Sequence, residues 1–347
     1  MIKKTALYEK HLEQNGRMVE YAGWNLPVNY ASGIIAEHNC VRNDVGMFDV
    51  SHMGEILVKG ENATTFLESV LTNNITKLQP GRVRYTIMCN EAGGCVDDLL
   101  VYCISKKEYF LVVNAANKDK DYKWLKKLAK DTEIIDVSDK YCQLAVQGPN
   151  STLALNKLCE LPEKYFSFIK TNDLLISQTG YTGEQGYEIY GPTTAIIDMW
   201  QKLIDKNVQP CGLGCRDTLR FEAGLPLYGH EIDETITPEE AGLQFAIDWN
   251  KDFIGREAMF QLVRKRTLIG LKITERGIAR PNYPVFYGGV KVGHITSGTL
   301  SPTFNEALAC ALILKDYSHN EDFLVEIRGN KVQAVKVQLP FYERKAK

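Results

Sequence analysis

The sequence lacks several features that would place it in a specialised class of protein. Its 347 residues contain no apolar run long enough to span a bilayer, and the N-terminus turns polar at Glu9-Lys10-His11, unlike a secretory signal peptide. The formal net charge is −2, so no basic excess indicates binding to nucleic acid or to an acidic membrane surface. We therefore expect a cytoplasmic protein that binds neither nucleic acid nor a membrane.

Cysteine is present, but not at spacings typical of metal or disulfide sites. None of the nine cysteines forms a Cys-x-x-Cys motif, and the closest pair, Cys211 and Cys215, has no neighbouring histidine. An odd number of cysteines in a reducing compartment indicates free thiols, several of which fill small apolar spaces on strands. The sequence thus predicts no disulfide and no metal site.

The remaining composition is that of an ordinary globular protein, with 44% hydrophobic and 24% charged residues and enough chain for two or three domains. Apolar residues at helical spacing predict amphipathic helices over 62–71, 119–130 and 193–204, with Trp200 of the last helix in the core. β-rich runs predict strands over the ranges 55–59, 99–104, 109–113, 141–146 and 173–178.

From about residue 268 the pattern changes to short strands with hairpin turns. Gly288-Gly289 and Gly329-Asn330 each lie between two strand-like runs. This part predicts a separate small all-β domain, whereas the rest mixes helices and strands without the regular alternation of a doubly wound fold. We therefore assign the chain to the α+β class.

Residues 89–102 combine a Gly-Gly turn with a strand that opens on two adjacent carboxylates, Asp97 and Asp98. Neighbouring side chains on a strand point to opposite faces, so only one of the two can face a given cleft. One interpretation is a hairpin with a solvated acidic rim. The other is functional, because the apolar strand should bury at least one carboxylate, and a buried carboxylate needs partners or serves chemistry.

A second segment, 179–188, has three glycines in a tight turn that Tyr181 and Glu188 flank. The glycine pattern matches neither a P-loop nor a dinucleotide-binding fingerprint. The segment is either a hairpin with aromatic cross-strand pairs or a platform that offers a ring for stacking and a carboxylate for paired donors.

A third segment, 211–224, is a glycine-containing turn that enters a helix with Arg216 in its first turn. A cation at this position opposes the helix dipole, which suggests that Arg216 has a function. The structural alternative is a salt bridge to Asp217 or Glu222.

Two histidines invite a catalytic interpretation, but we favour a structural one. His52 is followed by a strand, and His230 lies in Tyr228-Gly229-His230-Glu231. A lone histidine in such a position is more often a hydrogen-bonded structural residue than a base.

Together and in this order, these segments resemble the glycine cleavage T-protein (aminomethyltransferase) family. Each motif alone is moderately specific, but the matching motifs cover nearly the whole chain. They are Ala22-Gly23-Trp24 with Pro27, then 46–54, 90–102, 113–115, 147–149, 180–188, 212–223, 252–255 and 296–302. One departure is Cys215, where the family commonly has alanine, a change that is conservative in volume.

The resemblance implies a three-domain α+β cloverleaf around a central folate channel. It implies an α+β domain 1 at 1–50 and 140–250, an α+β domain 2 at 51–139, and a barrel-like all-β domain 3 at 265–347. The implied reaction moves a methylene carbon from the aminomethyl-lipoyl arm of the H-protein to the co-substrate tetrahydrofolate. It releases ammonia and 5,10-methylenetetrahydrofolate, and it requires neither a metal nor a covalent enzyme intermediate.

The family's folate-site residues map onto this chain motif by motif. The cofactor-binding set is Tyr85, Tyr102, Asn114, Tyr181, Glu188 and Arg216, with Arg280 and Tyr342 where the third domain closes on the site. A carboxylate such as Glu188 can accept paired pterin donors, and the tyrosines can pack on flat rings. Asp98 is assigned as the catalytic carboxylate, which stabilises a cationic methylene iminium, and Asp97 is the second candidate.

Relatives of the same architecture do other chemistry. The folate-binding half of sarcosine-type dehydrogenases is fused to a flavin domain, for which this chain has neither room nor a Gly-x-Gly-x-x-Gly at its start. A demethylase that moves a methyl group from sulfur to tetrahydrofolate stays open as an alternative. A folate-binding accessory protein of iron–sulfur assembly carries a functional cysteine in a glycine-rich motif, and the corresponding run, 180–188, has none.

Overall fold

A computed structural model describes residues 2–262 and 265–344 of the chain. Met1 and residues 345–347, which the implied domains 1 and 3 include, lie outside the described residues. The described residues contain eight α-helices and no helix that is both long and apolar enough to cross a membrane. The helices are α1 (Tyr8–Glu13), α2 (Ile34–Asn43), α3 (Ala63–Val70), α4 (Lys118–Leu128), α5 (Ser151–Leu155), α6 (Thr193–Asp205), α7 (Leu213–Glu222) and α8 (Arg256–Gln261).

The three helices that the apolar spacing predicts are confirmed as α3, α4 and α6, each within two residues of the predicted ends. Their apolar faces are buried, because Leu67, Leu125 and Trp200 each expose at most 1% of their surface. Three short 3-10 helices add Ser138–Lys140, Gln244–Ala246 and Lys315–Tyr317.

Twenty strands complete the regular structure of the described residues. In chain order they are β1 (Lys3–Lys4), β2 (Arg17–Tyr21), β3 (Trp24–Asn29), β4 (Gly46–Asp49), β5 (Gly54–Lys59), β6 (Val83–Cys89), β7 (Cys95–Ser105), β8 (Glu108–Val113), β9 (Glu133–Asp136), β10 (Cys142–Gln147), β11 (Phe168–Thr171), β12 (Leu174–Ser177), β13 (Gly186–Gly191), β14 (Gln209–Pro210), β15 (Arg266–Ile273), β16 (Pro284–Tyr287), β17 (Val290–Ser301), β18 (Glu306–Leu314), β19 (Asp322–Ile327) and β20 (Asn330–Val337).

These strands form three open sheets and one closed barrel. The small sheet has the order β1-β3-β2, the six-stranded sheet β11-β12-β13-β10-β4-β14, and the five-stranded sheet β6-β7-β8-β5-β9. The barrel closes in the order β15-β18-β17-β16-β19-β20, so no edge of its sheet is left unpaired. The sequence prediction of a small C-terminal all-β domain corresponds to this barrel.

One barrel hairpin turns one residue earlier than predicted. Gly288 and Gly289 both have positive φ, which is what a two-residue turn between β16 and β17 requires. In the second hairpin the positive φ angles belong to Arg328 and Gly329, while Asn330 is already the first residue of β20. The predicted Gly329-Asn330 turn is therefore wrong by one position, because Arg328 accepts a left-handed conformation that its type rarely adopts.

The strand β7 separates two apolar cores, and this position determines where its side chains point. Leu99 and Val101 pack on one face with Leu125 of α4. Tyr102 packs on the opposite face, against residues of the six-stranded sheet such as Tyr190. The alternation along β7 therefore sends neighbouring side chains into two different environments.

A long segment with little regular structure, 228–259, covers the end of the β6–β7 hairpin. Ile232, Leu243 and Phe253 of this segment pack with Ile87 and Cys95 of the hairpin in one buried cluster. Its approach is close: a Cβ at Gly94 would lie 1.9 Å from the Glu234 carbonyl oxygen. The bounds of the three implied domains stay a prediction.

Helix α7 holds the barrel against the rest of the chain through a buried carboxylate, Glu222. Its two oxygens accept hydrogen bonds from the Ser301 hydroxyl at 2.5 Å and from the Thr303 backbone N–H and hydroxyl at 3.0 and 2.6 Å. On the α2 side, Arg42 Nη2 and His38 Nε2 lie 3.0 and 3.2 Å from Glu222 Oε2. Burial alone would raise the pKa of Glu222, but His38, Ser301 and Thr303 lower it to about 2.

We expect Glu222→Gln to destabilise the protein by about 3 kcal/mol, because it removes the charge that Arg42 Nη2 and His38 face in a buried network and leaves Arg42 with Glu184 as its remaining carboxylate partner among the described residues. Urea unfolding followed by fluorescence measures the change. Asp198→Asn is the control, since it breaks an exposed ion pair with Lys202 and should change the free energy of unfolding by less than about 0.5 kcal/mol.

The stability difference between wild type and E222Q should also depend on pH. A carboxylate whose folded pKa is lowered contributes stability above its unfolded pKa and loses it as pH falls through the folded value. The gap between wild type and E222Q should therefore shrink between about pH 4 and about pH 2. Equal stability of E222Q and D198N at neutral pH would contradict the role of Glu222.

Candidate active site

Asp97 is a buried anchor that several N–H groups hold. It is 0% exposed, and it accepts hydrogen bonds from the Asn114 backbone N–H at 3.1 Å, from Asn114 Nδ2 at 2.9 Å and from Asn117 Nδ2 at 2.6 Å. The interpretation of a solvated acidic rim is therefore wrong, and the expected burial of at least one carboxylate is confirmed. Asp97 points to the α4 side of β7, where the chain between β8 and α4 supplies these amides.

Asp98 points to the opposite side of β7 and keeps part of its surface exposed. Tyr85 Oη donates a hydrogen bond to Asp98 Oδ2 at 3.0 Å, and Asn114 Nδ2 donates one to Asp98 Oδ1 at 2.7 Å. Burial, followed by the charge of Asp97, raises the pKa of Asp98 to about 7 despite these donors. The side chain of Asn114 thus bridges the two adjacent carboxylates, and Asp98 is poised to exchange a proton near neutral pH.

Tyr181 and Arg216 form a stacked pair. The guanidinium carbon of Arg216 lies 4.6 Å from the centroid of the Tyr181 ring, and Tyr181 Oη donates to the Pro226 carbonyl at 2.5 Å. Arg216 Nη1 is buried and has no hydrogen-bond partner among the described residues. Such an orphaned donor in a stacked guanidinium is available to a ligand.

The structural alternative for Arg216, a salt bridge to one of two acids on its own helix, is wrong. Asp217 pairs with Arg220 at 2.8 Å, and Glu222 pairs with Arg42. Both acids on helix α7 therefore have other partners.

Glu188 lies on β13 and is 5% exposed. Gln143 Nε2 donates to Glu188 Oε1 at 3.2 Å, and the Thr179 hydroxyl donates to Glu188 Oε2 at 2.5 Å. Burial raises the pKa of Glu188, while Thr179 and the positive charge of Arg216 oppose the rise. A side-chain hydrogen bond with Tyr190 adds a third contact, so at least one of the four lone pairs on the two oxygens stays available for a further donor.

Tyr102 is not brought to the same place. It is 0% exposed, and its hydroxyl is within hydrogen-bond distance of the Ser177 hydroxyl at 3.1 Å and of the Tyr190 hydroxyl at 2.8 Å. Tyr190 in turn accepts a hydrogen bond from Gln143 Nε2 at 3.0 Å. Tyr102 therefore supports the surroundings of Glu188 from within the core.

The two C-terminal candidates make their contacts with residues other than Asp98. Arg280 is exposed, and its Nη1 donates to the Gly298 carbonyl at 3.3 Å. The Tyr342 ring lies beneath the Arg42 guanidinium at 3.9 Å, and its backbone N–H donates to the Glu222 carbonyl at 2.7 Å. Tyr342 thus belongs to the network that attaches the barrel.

Electrostatic interactions indicate that the other residues lie close together. The charge of Asp98 contributes, after burial, to the raised pKa of both Tyr85 and Tyr181. Arg216 acts on Tyr181 and on Glu188. These interactions link Asp98, through Tyr181 and Arg216, to Glu188, and we call the region around these residues the cleft.

The structure adds one residue whose role the sequence analysis predicted differently. His52 is 4% exposed, lies edge-on to the Tyr21 ring, and has no partner for Nδ1 among the described residues, although a hydrogen-bonded role was expected. Burial and the charge of Arg216 lower the pKa of His52 to about 4, so the ring is neutral at physiological pH.

For His230 the structural expectation is confirmed, because Nδ1 lies 3.0 Å from the Thr296 carbonyl.

Two further residues of the cleft were missed. Gln143 holds Glu188, and its Oε1 is buried with no partner among the described residues. A glutamine inside the apolar run 141–146 is an anomaly that could have revealed it. Phe245 is 72% exposed and stacks on Tyr85 with ring centroids 5.9 Å apart, but it lies in a segment with no periodic pattern.

One cluster has atoms of the kind that bind metals. Glu37, Cys211 and Cys215 place their ligand-type atoms within 4.8 Å of one another. The Glu37 oxygens already accept the backbone N–H groups of Tyr30 and Gly212, at 2.5 and 2.9 Å. Burial and Cys215 also raise the pKa of Cys211 well above its usual value, which disfavours the thiolate that a metal needs.

Comparisons with known proteins agree with this architecture. A family model described as the GCVT N-terminal domain matches residues 7–251, and one described as the glycine cleavage T-protein C-terminal barrel domain matches residues 266–343. The aminomethyltransferases of Thermosipho melanesiensis and Listeria monocytogenes are each 46% identical, over 100% and 98% of this chain and 99% and 98% of those proteins. The crystal structure of glycine cleavage system aminomethyltransferase T from Bartonella henselae, at 32% identity, covers 99% of both chains with a TM-score of 0.94.

These matches place the chain among proteins in which an α+β body precedes a closed C-terminal barrel. They confirm the predicted α+β fold. The chain belongs to the glycine cleavage T-protein family, whose members compared above are aminomethyltransferases. The resemblance inferred from the sequence motifs is thereby confirmed.

The raised pKa of Asp98 predicts a stability cost. Between about pH 4 and about pH 7 the folded protein binds a proton at Asp98 that the unfolded chain releases, so stability falls as pH rises across this window. Asp98→Asn stays neutral and should be more stable than wild type at pH 8 by on the order of 2 kcal/mol.

Urea titrations at about pH 5 and about pH 8 measure this difference. The gap should be larger at the higher pH, and the exposed variant Asp139→Asn should show no such trend. A D98N protein that is less stable than wild type at pH 8 would contradict the burial of a charge at this position.

Proposed function

We propose that this chain transfers the methylene carbon of the aminomethyl-lipoyl H-protein to tetrahydrofolate, with release of ammonia and 5,10-methylenetetrahydrofolate. The observation that carries the proposal is Asp98, a carboxylate held by Tyr85 and Asn114 with a pKa of about 7, in a chain of the aminomethyltransferase family. The relatives compared above give no support to the demethylase or the accessory protein. The cytoplasmic location and the absence of a metal stay predictions.

The folate end of the cleft is the part around Glu188 and Arg216. A pterin ring presents an amino group and ring N–H donors together with a carbonyl acceptor. Glu188 keeps at least one unused lone pair, and Arg216 Nη1 has no partner among the described residues. The unpaired His52 Nδ1 and Gln143 Oε1 add two buried polar atoms whose hydrogen-bonding capacity a polar ligand can use.

The reacting end of the cleft is the part around Asp98. Loss of ammonia from the aminomethyl group leaves a cationic methylene iminium, and a fixed carboxylate beside it lowers the energy of that cation. With a pKa of about 7, Asp98 is also a stronger base than an ordinary aspartate. It can therefore orient or deprotonate the attacking pterin nitrogen at neutral pH.

The two hydrogen bonds to Asp98 keep its carboxylate in one orientation, which reduces the reorganisation that charge stabilisation requires. Tyr85 contributes a second effect, because its ring stacks on the exposed Phe245 and so extends a flat apolar surface from the cleft to the outside. This surface suits the flat or apolar parts of the two substrates.

We expect wild type to form methylenetetrahydrofolate from aminomethylated H-protein and tetrahydrofolate, and Asp98→Asn to lower kcat about 100-fold or more while folate binding is retained. Product formation is followed by coupled oxidation of methylenetetrahydrofolate, and binding by calorimetry. Asp139→Asn is the matched control. Folate binding without product in wild type would exclude this function, whereas an active D98N would make Asp97 the next candidate.

A second expectation separates binding from chemistry. Glu188→Gln replaces one of two acceptor oxygens by a donor, so the KM for tetrahydrofolate should rise about tenfold with little change in kcat, the pattern for a contact that substrate and transition state share. Glu257→Gln, at an exposed position of α8, should change neither constant. A loss in kcat alone for E188Q would place Glu188 at the reacting end instead.

A further inference from the structure

A third aspartate lies next to the two carboxylates of β7, and the proposed reaction does not use it. Asp121 of α4 is 0% exposed, and neither of its carboxylate oxygens has an N–H or hydroxyl donor among the described residues. An ionised carboxylate in such a place would carry a large desolvation cost without compensation. The observation therefore calls for a neutral, protonated side chain or for a special partner.

The geometry of α4 identifies the partner as Asp97. Asp121 lies one helical turn after Asn117, so both side chains occupy one face of the helix, and Asn117 Nδ2 donates to Asp97 at 2.6 Å. Lys120 Nζ donates to the Val96 carbonyl at 2.7 Å and thereby fixes α4 against β7. Asp121 therefore lies on the side of α4 that faces Asp97, and Asp97 acts on its carboxyl group through its charge and a side-chain hydrogen bond.

Two facing carboxyl groups hold one proton between them, because like charges at this distance do not both stay ionised. Asp97 accepts three N–H hydrogen bonds, which stabilise its anion, whereas Asp121 has none. The proton therefore belongs to Asp121. Burial, followed by the charge and the hydrogen bond of Asp97, raises the pKa of Asp121 to about 11.

The other charged groups around the pair do not change this assignment. Lys120 opposes the rise and Asp98 adds to it. The Lys120 ammonium is itself engaged by the Tyr228 hydroxyl at 2.7 Å and by Glu234 at 3.2 Å, on the side of the segment 228–259.

We propose that Asp121 is a positioning residue, whose carboxylic acid proton is donated to Asp97 and so holds Asn114 in the orientation that fixes Asp98. The chain of contacts is continuous, since Asn114 Nδ2 bridges Asp97 Oδ1 at 2.9 Å and Asp98 Oδ1 at 2.7 Å. Asp121 acts through these two residues and does not itself touch a substrate. The kinetic consequence of this inference rests on the proposed function, but the location of the proton does not.

The first experiment tests the proton without any substrate. Infrared difference spectra of wild type against Asp121→Asn, in protein labelled with ¹³C at the aspartate carboxyl carbon, should show the C=O band of a carboxylic acid. The band of Asp121 should persist to about pH 9 and be missing in D121N, whereas the band of Asp98, whose pKa is about 7, should fade between about pH 6 and about pH 8 in both proteins. No such band in wild type would overturn the proposal, whatever reaction the protein catalyses.

The second experiment measures the pH dependence of methylenetetrahydrofolate formation. The acid limb of the pH–rate profile reflects Asp98. D121N replaces one neutral donor by another, so it should shift this limb by no more than a few tenths of a pH unit from its wild-type position. If Asp121 were ionised, D121N would remove a negative charge near Asp98 and move the limb to lower pH by about one unit. A shift of that kind contradicts the proposal.

Asp121→Leu supplies the opposite comparison, since leucine has the same branched arrangement of heavy atoms but no donor. Its kcat should fall about tenfold, because a donor to a charged group is lost, while the KM for tetrahydrofolate changes little and D121N stays within about threefold of wild type. The control is Asp119→Leu, two residues away on the exposed side of α4, which should keep wild-type constants. Equal kcat values for D121L and wild type would contradict the positioning role, even if the thermal stability of D121L falls.

Discussion

The arrangement of the molecule depends on the buried carboxylate of Glu222. Helix α2 of the α+β body, through Arg42 and His38, and one hairpin of the barrel, through Thr303, converge on this side chain. Arg220, two residues earlier on α7, donates hydrogen bonds to Glu231 and to Ser297 of β17, and so also connects α7 to the barrel. Because Arg216 lies on this helix, the interaction that attaches the barrel also fixes the guanidinium of the cleft. A stability network and the proposed binding group Arg216 therefore share one rigid element, as a precise site requires.

The second constraint is local: two adjacent acids at the start of β7 occupy opposite faces of one strand. Asp97 is satisfied by amides from the β8–α4 connection, and Asp98 is left partly uncompensated, with a raised pKa. The protein could have satisfied Asp98 in the same way, and it would then be an ordinary buried anion. Its incomplete solvation is the property that suits it to stabilise a developing cation.

Sequence reasoning located the elements well because their patterns are periodic, as in α6 with Trp200, and because the paired acids stand out in an apolar strand. It failed where tertiary packing decides. Tyr102 has the same strand parity as Asp98, so its position along β7 favours the cleft, yet the six-stranded sheet covers it. Gln143 and Phe245 reach the cleft from a core strand and an irregular segment, and neither follows from local pattern. Asp121 looked like one more polar residue on an amphipathic helix, and only its burial beside Asp97 distinguishes it.

The charges of the cleft argue for the chemistry independently of any single residue. Its acids are Asp98 and Glu188, with Asp97 on the other face of β7, and Arg216 is the cation that acts on Glu188. A neutral His52 and a protonated Asp121 add no charge, so the region around Asp98 has a surplus of negative charge above neutral pH. Such a field destabilises the empty site and favours a substrate that becomes cationic within it. It would disfavour a reaction through an anionic intermediate, for which donors directed at the reacting atoms would be needed. The charge distribution and the motif order therefore lead to the same class of one-carbon transfer by separate routes.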